Sequence, residues 1–256
     1  LTLHRFVLAL VVSIALQVGV NYANDYSDGI RGTDQDRIGP RRLVGSGLIN
    51  ANQVKLAAGI SFLIAAIAGL VLAIMTSLWL ILIGCIAILA AWFYTGGSRP
   101  YGYSGYGEVS VFVFFGLVAT VGSSYVQSQT IESISILCSV PVGLLASALL
   151  VVNNFRDIET DSETGKQTFA VRLGKAKTKM FFALLLLASL GMYVLIAVFY
   201  TYLVLITLVV IPLIIKLIYD IFSKENAQDL INLLENTAKL HLLAGILLSI
   251  GLAAGL

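Results

Sequence analysis

The chain has 256 residues, 58% of them hydrophobic and 12% charged, with a net charge of +2. A soluble domain of this size averages about 25% charged residues, so the composition excludes an ordinary soluble enzyme and points to a membrane protein. Nothing in it marks a nucleic-acid partner. The two cysteines, Cys85 and Cys138, each sit inside an apolar run. With no Cys-x-x-Cys they read as buried packing residues, not as a zinc site or a disulfide framework.

A helix needs roughly 20 apolar residues to cross the hydrocarbon core. Such runs cover 1–24, 53–75, 77–95, 109–127, 133–152, 179–199, 202–222 and 239–256. The expected fold is therefore all-α: a polytopic bundle of eight transmembrane helices with polar cap loops. It forms a single domain over 1–256, with almost no room for a soluble one. The first run leads straight into an acidic cluster and has no small-residue cleavage site, so it is not a secretory signal.

Cation placement gives the orientation. Of the 16 Lys and Arg, 14 fall in the segments 31–55, 99, 156–179 and 224–239, which are alternate loops. The turns near 76, 128–132 and 200–202 carry no Lys or Arg. The positive-inside rule puts the cation-rich loops in the cytoplasm of a cell-membrane protein. Lys175, Lys177 and Lys179, at the start of a helix, are read as part of that topological signal.

Two acidic clusters lie where helices run out on that same face. The first is Asn21-Tyr-Ala-Asn24-Asp25-Tyr-Ser-Asp28-Gly-Ile-Arg31-Gly-Thr-Asp34-Gln-Asp36-Arg37, and the second is Asn153-Asn154-Phe-Arg156-Asp157-Ile-Glu159-Thr-Asp161-Ser-Glu163. Together they hold eight of the 14 acidic residues. Ionisable groups at the hydrocarbon boundary are costly and mark function by default. Residues three and four apart share a helix face, which groups Asn24 and Asp25 with Asp28, and Asn153 and Asp157 with Asp161. Gly29 and Gly32 favour a helix end just after Asp28, letting Asp34 return toward it on a loop. Each patch thus offers carboxylates and an amide oxygen, the donor set Mg2+ takes when it also holds substrate phosphates. Arg37, Lys166 and Arg172 beside the clusters either neutralise a departing diphosphate or belong, like other loop cations, to the topological signal.

A third polar stretch, Tyr94-Thr-Gly-Gly-Ser-Arg99-Pro-Tyr101-Gly-Tyr103-Ser-Gly-Tyr106-Gly-Glu108, is a glycine-rich loop carrying one cation and one acid. Either it is an interfacial aromatic belt, or Arg99, Tyr101 and Glu108 receive a flat phenolic acceptor. No P-loop is present: Gly165-Lys166 lacks the upstream glycine and is followed by Gln167.

The string Asn24-Asp25-Tyr26-Ser27-Asp28 with Gly32-x-Asp34 resembles the first aspartate motif of the UbiA-type intramembrane prenyltransferases. The second motif is similar to Asn153-Asn154-Phe-Arg156-Asp157-Ile-Glu159-Thr-Asp161, followed by Gly165-Lys166-x-Thr168-x-Ala170-Val171-Arg172. The step from Asp28 to Asp34 and the Tyr94-Thr95-Gly96-Gly97 loop resemble the branch that prenylates 1,4-dihydroxy-2-naphthoate in menaquinone synthesis. That family's pattern has nine helices with the first motif after the second; here it follows the first. One amino-terminal helix is therefore expected to be missing from the chain as given.

The resemblance implies that Asn24, Asp25, Asp28 and Asp34 hold one Mg2+ and Asp157 and Asp161 another. It also implies that Asn153, Asn154, Arg37, Lys166 and Arg172 bind the diphosphate of a polyprenyl donor. Asp28, Asp34, Asp157 and Asp161 are then the catalytic carboxylates. The naphthoate ring attacks the allylic cation at the carbon bearing its carboxylate, carbon dioxide leaves, and the product is demethylmenaquinol. The prenyl tail lies along helices open to membrane lipid. Another aromatic quinone precursor is the alternative acceptor. A secondary transporter is the rival class, but transporters put coupling carboxylates near the bilayer midplane, whereas these acids gather at one face.

Overall fold

The computed structural model describes residues 2–33 and 41–255, and no strand occurs among them. Among the described residues, seven helices are long and apolar enough to cross a membrane. They are α1 (Leu3–Arg31), α2 (Ala51–Met75), α4 (Gly107–Ser128), α5 (Ser133–Arg156), α7 (Phe169–Phe199), α8 (Tyr202–Ser223) and α9 (Ala227–Gly255). Between them lie α3 (Trp79–Phe93) and the six-residue α6 (Ile158–Glu163). The chain is a multi-pass membrane protein, but the expected count of eight full spans is corrected. The run 77–95 forms a helix of only 15 residues, about 22 Å at the helical rise, against a core of about 30 Å. Hydropathy extends across the turn before Trp79 and the loop after Phe93, where the helical backbone stops.

The chain forms two compact units. The first comprises Leu1–Gly107, Gly122–Thr130 and Thr160–Gln167. In it α1 packs on α2 through small residues: Ala23 and Ala58 are fully buried, and a side chain added at Gly19 would run into the Phe62 ring at 2.7 Å. Helix α1 continues three residues beyond the stop expected after Asp28. Gly29 is not a terminator: a Cβ there would lie 2.4 Å from Val44 Cγ1. Gly32 ends the helix, with φ 71° and its N–H bonded to the carbonyls of Asp28 and Gly29, a left-handed cap that glycine adopts without strain. Asn50 starts α2 by accepting the Asn52 N–H at 2.9 Å.

The second unit comprises Glu108–Val121, Ile131–Glu159 and Thr168–Leu256. Its core joins α5, α7, α8 and α9 through fully buried Leu145, Phe182, Leu186, Tyr193, Leu217 and Leu240. The backbones of α4 and α5 approach at Gly116 and Gly143, where a Cβ on Gly116 would stand 2.6 Å from the Gly143 Cα. Residues Phe112–Val118 of α4 are wound as a π-helix. Helix α7 begins at Thr168, whose hydroxyl accepts the Val171 N–H, and kinks at Gly174 (φ 74°). Exposed Leu, Ile, Val and Phe side chains cover the helix exteriors, as lipid solvation requires. Cys138 is buried in the core, but Cys85 is exposed on α3, contrary to the expectation of two buried thiols. Helix α3 buries none of its residues, so a thiol there has no core to enter.

Candidate functional site

The first unit brings parts of both acidic clusters onto one cation. Lys166 Nζ lies 3.5 Å from Asp28 Oδ2 and 3.7 Å from Asp161 Oδ1. Asp28 sits near the end of α1 and Asp161 on α6. Gly165, at φ 78°, turns the chain back so that the Lys166 N–H donates to the Asp161 carbonyl at 2.8 Å. All three residues are buried, and charges are tolerated there because each has an opposite partner. Tyr103 completes the cluster. Its hydroxyl donates to Asp28 Oδ1, its ring lies 4.7 Å beneath Lys166 Nζ, and its carbonyl accepts the Gln167 N–H at 2.8 Å. Burial, and then the negative charge of Asp28, push the Tyr103 pKa up, so the phenol keeps its proton and remains a donor.

The glycine-rich loop is tied to the first cluster at two further points. Thr95 Oγ1 donates to Asn24 Oδ1 at 2.8 Å, and the Arg31 guanidinium bonds the carbonyls of Thr95 and Gly97. Asp25 faces elsewhere. Its two carboxylate oxygens accept the backbone N–H groups of Leu43 and Val44 at 2.9 and 3.0 Å, anchoring the segment that follows the first cluster.

The remainder of the second cluster belongs to the second unit. Arg156 grips Asp157 through two 2.6 Å bonds, from Nε to Oδ1 and from Nη2 to Oδ2, and its Nη2 also reaches Asn153 Oδ1 at 3.0 Å. Such forked pairing is strong and directional. Asn154 turns the other way, donating from Nδ2 to Glu108 Oε1 at 3.0 Å, while Ser147 Oγ donates to the Glu108 carbonyl at 3.1 Å. Lys179, first read as a topological charge, is buried in contact with the Phe155 ring and bonds Glu225 at 2.6 Å.

Of the other candidates, Arg99 and Arg172 are exposed. Tyr101 uses its hydroxyl on the Ala90 carbonyl at 2.8 Å and its ring edge-on against Tyr94. Asp34 and Arg37 lie outside the described residues. The sequence does not single out Tyr103 and Thr95 as organisers of the site. Tyr103 was visible only as one of several tyrosines in a glycine-rich loop on the acidic face, and nothing distinguished it from its neighbours.

Among the described residues no three His, Cys, Asp or Glu side chains group as metal ligands. The donor chemistry nevertheless fits magnesium. Asp28 and Asp161 present oxygen from two sides to one positive charge, which Lys166 supplies, and Mg2+ typically takes one or two carboxylates and completes its shell with water and phosphate.

The fold and the site define a multi-pass helical membrane protein with buried carboxylates at helix ends. The chain belongs to the UbiA prenyltransferase family, whose pattern matches residues 1–243. It is 46% identical over 98% of its length to the 1,4-dihydroxy-2-naphthoate octaprenyltransferase of Mycobacterium tuberculosis, covering 86% of that protein. It is 37% identical to the Escherichia coli enzyme of the same name, over 96% of this chain and 82% of that one. In fold it is similar to a UbiA homolog from Archaeoglobus fulgidus solved with DMAPP and Mg2+. The TM-score is 0.61 at 14% identity, covering 97% of this chain and 89% of that one.

Proposed function

We propose that this prenyltransferase moves a polyprenyl chain from polyprenyl diphosphate to 1,4-dihydroxy-2-naphthoate, with loss of carbon dioxide, giving demethylmenaquinol. The observation that carries the reading is the Lys166 ammonium between Asp28 and Asp161, one cation-holding point served by both acidic motifs. The naphthoate enters from the relatives named above, and the Mg2+ from the fold neighbour solved with that ion.

Asn24, Asp28 and Asp34 would hold one magnesium and Asp157 and Asp161 another. When bound, the metal neutralises the diphosphate as it departs. Tyr103 fixes the Asp28 carboxylate through its hydroxyl, and Arg156 fixes Asp157, so neither ligand must be ordered during turnover. Asp25 acts indirectly by anchoring the segment at Leu43 and Val44. Lys166, with Arg37, Arg172 and Asn153, donates to diphosphate oxygens as the allylic C–O bond breaks and its electron pair leaves with the diphosphate. The ring carbon bearing the carboxylate bonds to the allylic carbon, and the C–CO2 bond then breaks, returning its electrons to the ring. Water is kept from the cation by apolar helices beneath polar loops.

Residues 1–256 act as one catalytic domain in the cell membrane, surrounded by lipid, with the motifs on the cytoplasmic face; no nucleic acid is involved. The test is purified protein in detergent with a polyprenyl diphosphate, the naphthoate and magnesium, the product being identified by mass spectrometry. The expected mass lacks both diphosphate and carbon dioxide. A product that retains the carboxyl group, or prenylation only of a different aromatic acid, would overturn the acceptor assignment.

A further inference from the structure

We propose that Glu108 recognises a phenolic hydroxyl of the aromatic acceptor, Oε2 accepting a hydrogen bond from the substrate O–H. The inference rests on the acceptor reading above and adds the atom that does the recognising.

Glu108 opens α4 and is 6% exposed. Its Oε1 is taken by Asn154 Nδ2 at 3.0 Å and its main-chain carbonyl by Ser147 Oγ at 3.1 Å. Oε2 is buried and, among the described residues, has no hydrogen-bond partner. A buried carboxylate oxygen without a donor is costly, so a fold that holds one in place calls for a donor from beyond those residues, which a bound ligand supplies.

The rest of the second unit holds it rigidly. Gly116 and Gly143 let α4 and α5 approach to backbone contact, which fixes the register between Glu108 and Asn154. The π-helical turn at Phe112–Val118 lies immediately downstream, and such turns are frequent at functional sites.

The polarity of the bracket selects the ligand. Asn154 meets the carboxylate with its N–H rather than its oxygen, the wrong end for a shared metal ion, and among the described residues no cluster of acids joins Glu108. What remains is an acceptor for a neutral O–H. Asn154 stands on the same α5 end as Asn153, Arg156 and Asp157. A hydroxyl held at Oε2 is thereby bound through the α5 end that also carries the second aspartate motif.

The test compares kcat/KM for 1,4-dihydroxy-2-naphthoate with that for each of its two monomethyl ethers, in wild type and in Glu108→Gln. Comparing the same substrate pair in both proteins cancels the effect of methylation on ring reactivity. Wild type is expected to disfavour one ether by about 100-fold, because a site built to bond a hydroxyl strongly rejects an analogue without it. In Glu108→Gln that preference should shrink at least about tenfold, with KM for the prenyl diphosphate unchanged within about twofold. The double variant Glu108→Ala/Asn154→Ala, which removes both polar partners, should discriminate as poorly. An undiminished preference in folded Glu108→Gln would overturn the proposal. So would collapse of every variant, because Glu108 would then be a packing residue. If wild type prenylates no naphthoate, the acceptor reading itself fails before any variant is measured.

Discussion

The Lys166 ammonium lies 3.5 Å from Asp28 Oδ2, which makes a residue of the second motif the counter-charge of the first. It also reaches Asp161 at 3.7 Å. An ammonium in that position repels an incoming metal ion and attracts an incoming diphosphate. Lys166→Met separates these effects. Turnover should fall by about 100-fold or more through loss of a charge donor to the leaving group, while half-maximal activity should need less magnesium than in wild type. Titrating magnesium at saturating prenyl diphosphate checks it. An increased magnesium requirement would contradict the arrangement.

Asp28→Asn and Asp157→Asn should each reduce turnover to below about 1% of wild type, and excess magnesium should not restore it. Their stabilities should differ. Asp157→Asn strands Arg156, whose side chain is only 2% exposed, and an uncompensated buried charge costs about 3 kcal/mol. Asp28→Asn leaves Lys166 its second partner, Asp161, and should cost less. Thermal unfolding in detergent ranks them. Near-normal activity in either variant would remove that carboxylate from the catalytic set.

Tyr103→Phe removes one hydroxyl and keeps the ring under Lys166. Asp28 Oδ1 loses its tyrosine donor, so a loss of about 1–3 kcal/mol in stability is expected, with turnover down about tenfold as the carboxylate loses its fixed orientation. Tyr101→Phe is the matched comparison in the same loop, its hydroxyl donating to the Ala90 carbonyl. It should cost about 1 kcal/mol and leave KM for both substrates near wild type. Equal kinetic losses in the two variants would mean that the loop acts as a whole and that Tyr103 has no particular role.

Much of this was legible in the sequence. Apolar runs located the helices because a bilayer demands length and hydropathy together, and the acidic strings stood out because charge is scarce in such a chain. Three things were not legible. Trp79–Phe93 reads as a full span because hydropathy does not register where a helix stops. Gly29 and Gly32 look alike as letters, yet one makes room for Val44 and the other adopts a positive φ to end α1. The pairs Tyr103–Asp28 and Asn154–Glu108 join residues 75 and 46 positions apart, and no local period encodes such partners. Glu108 and Asn154 were assigned to different substrates; the bond between them makes them one group.

The orientation rests on charge alone and can be measured by itself. Ser46, Ser98, Thr164 and Ser128 are all exposed and all lie in the first unit. Ser46 and Thr164 sit in cation-rich loops, and Ser98 lies beside Arg99. Ser128 ends α4 at a turn whose neighbours, 128–132, contain no Lys or Arg. By the positive-inside rule, single cysteines at Ser46, Ser98 and Thr164 should react with a membrane-impermeant thiol reagent only in inverted vesicles, and one at Ser128 only in right-side-out cells. The background must lack both native thiols, since Cys85 is exposed on α3 and would give a false signal. Ser46 follows the first acidic cluster and Thr164 lies beside Lys166, so the pair reports on both motifs. Labelling of Ser46 and Thr164 from opposite sides would separate Asp28 from Asp161 across the bilayer and end the shared-cation site. Labelling of all three loops from outside would keep the site but reverse the compartment from which the substrates arrive.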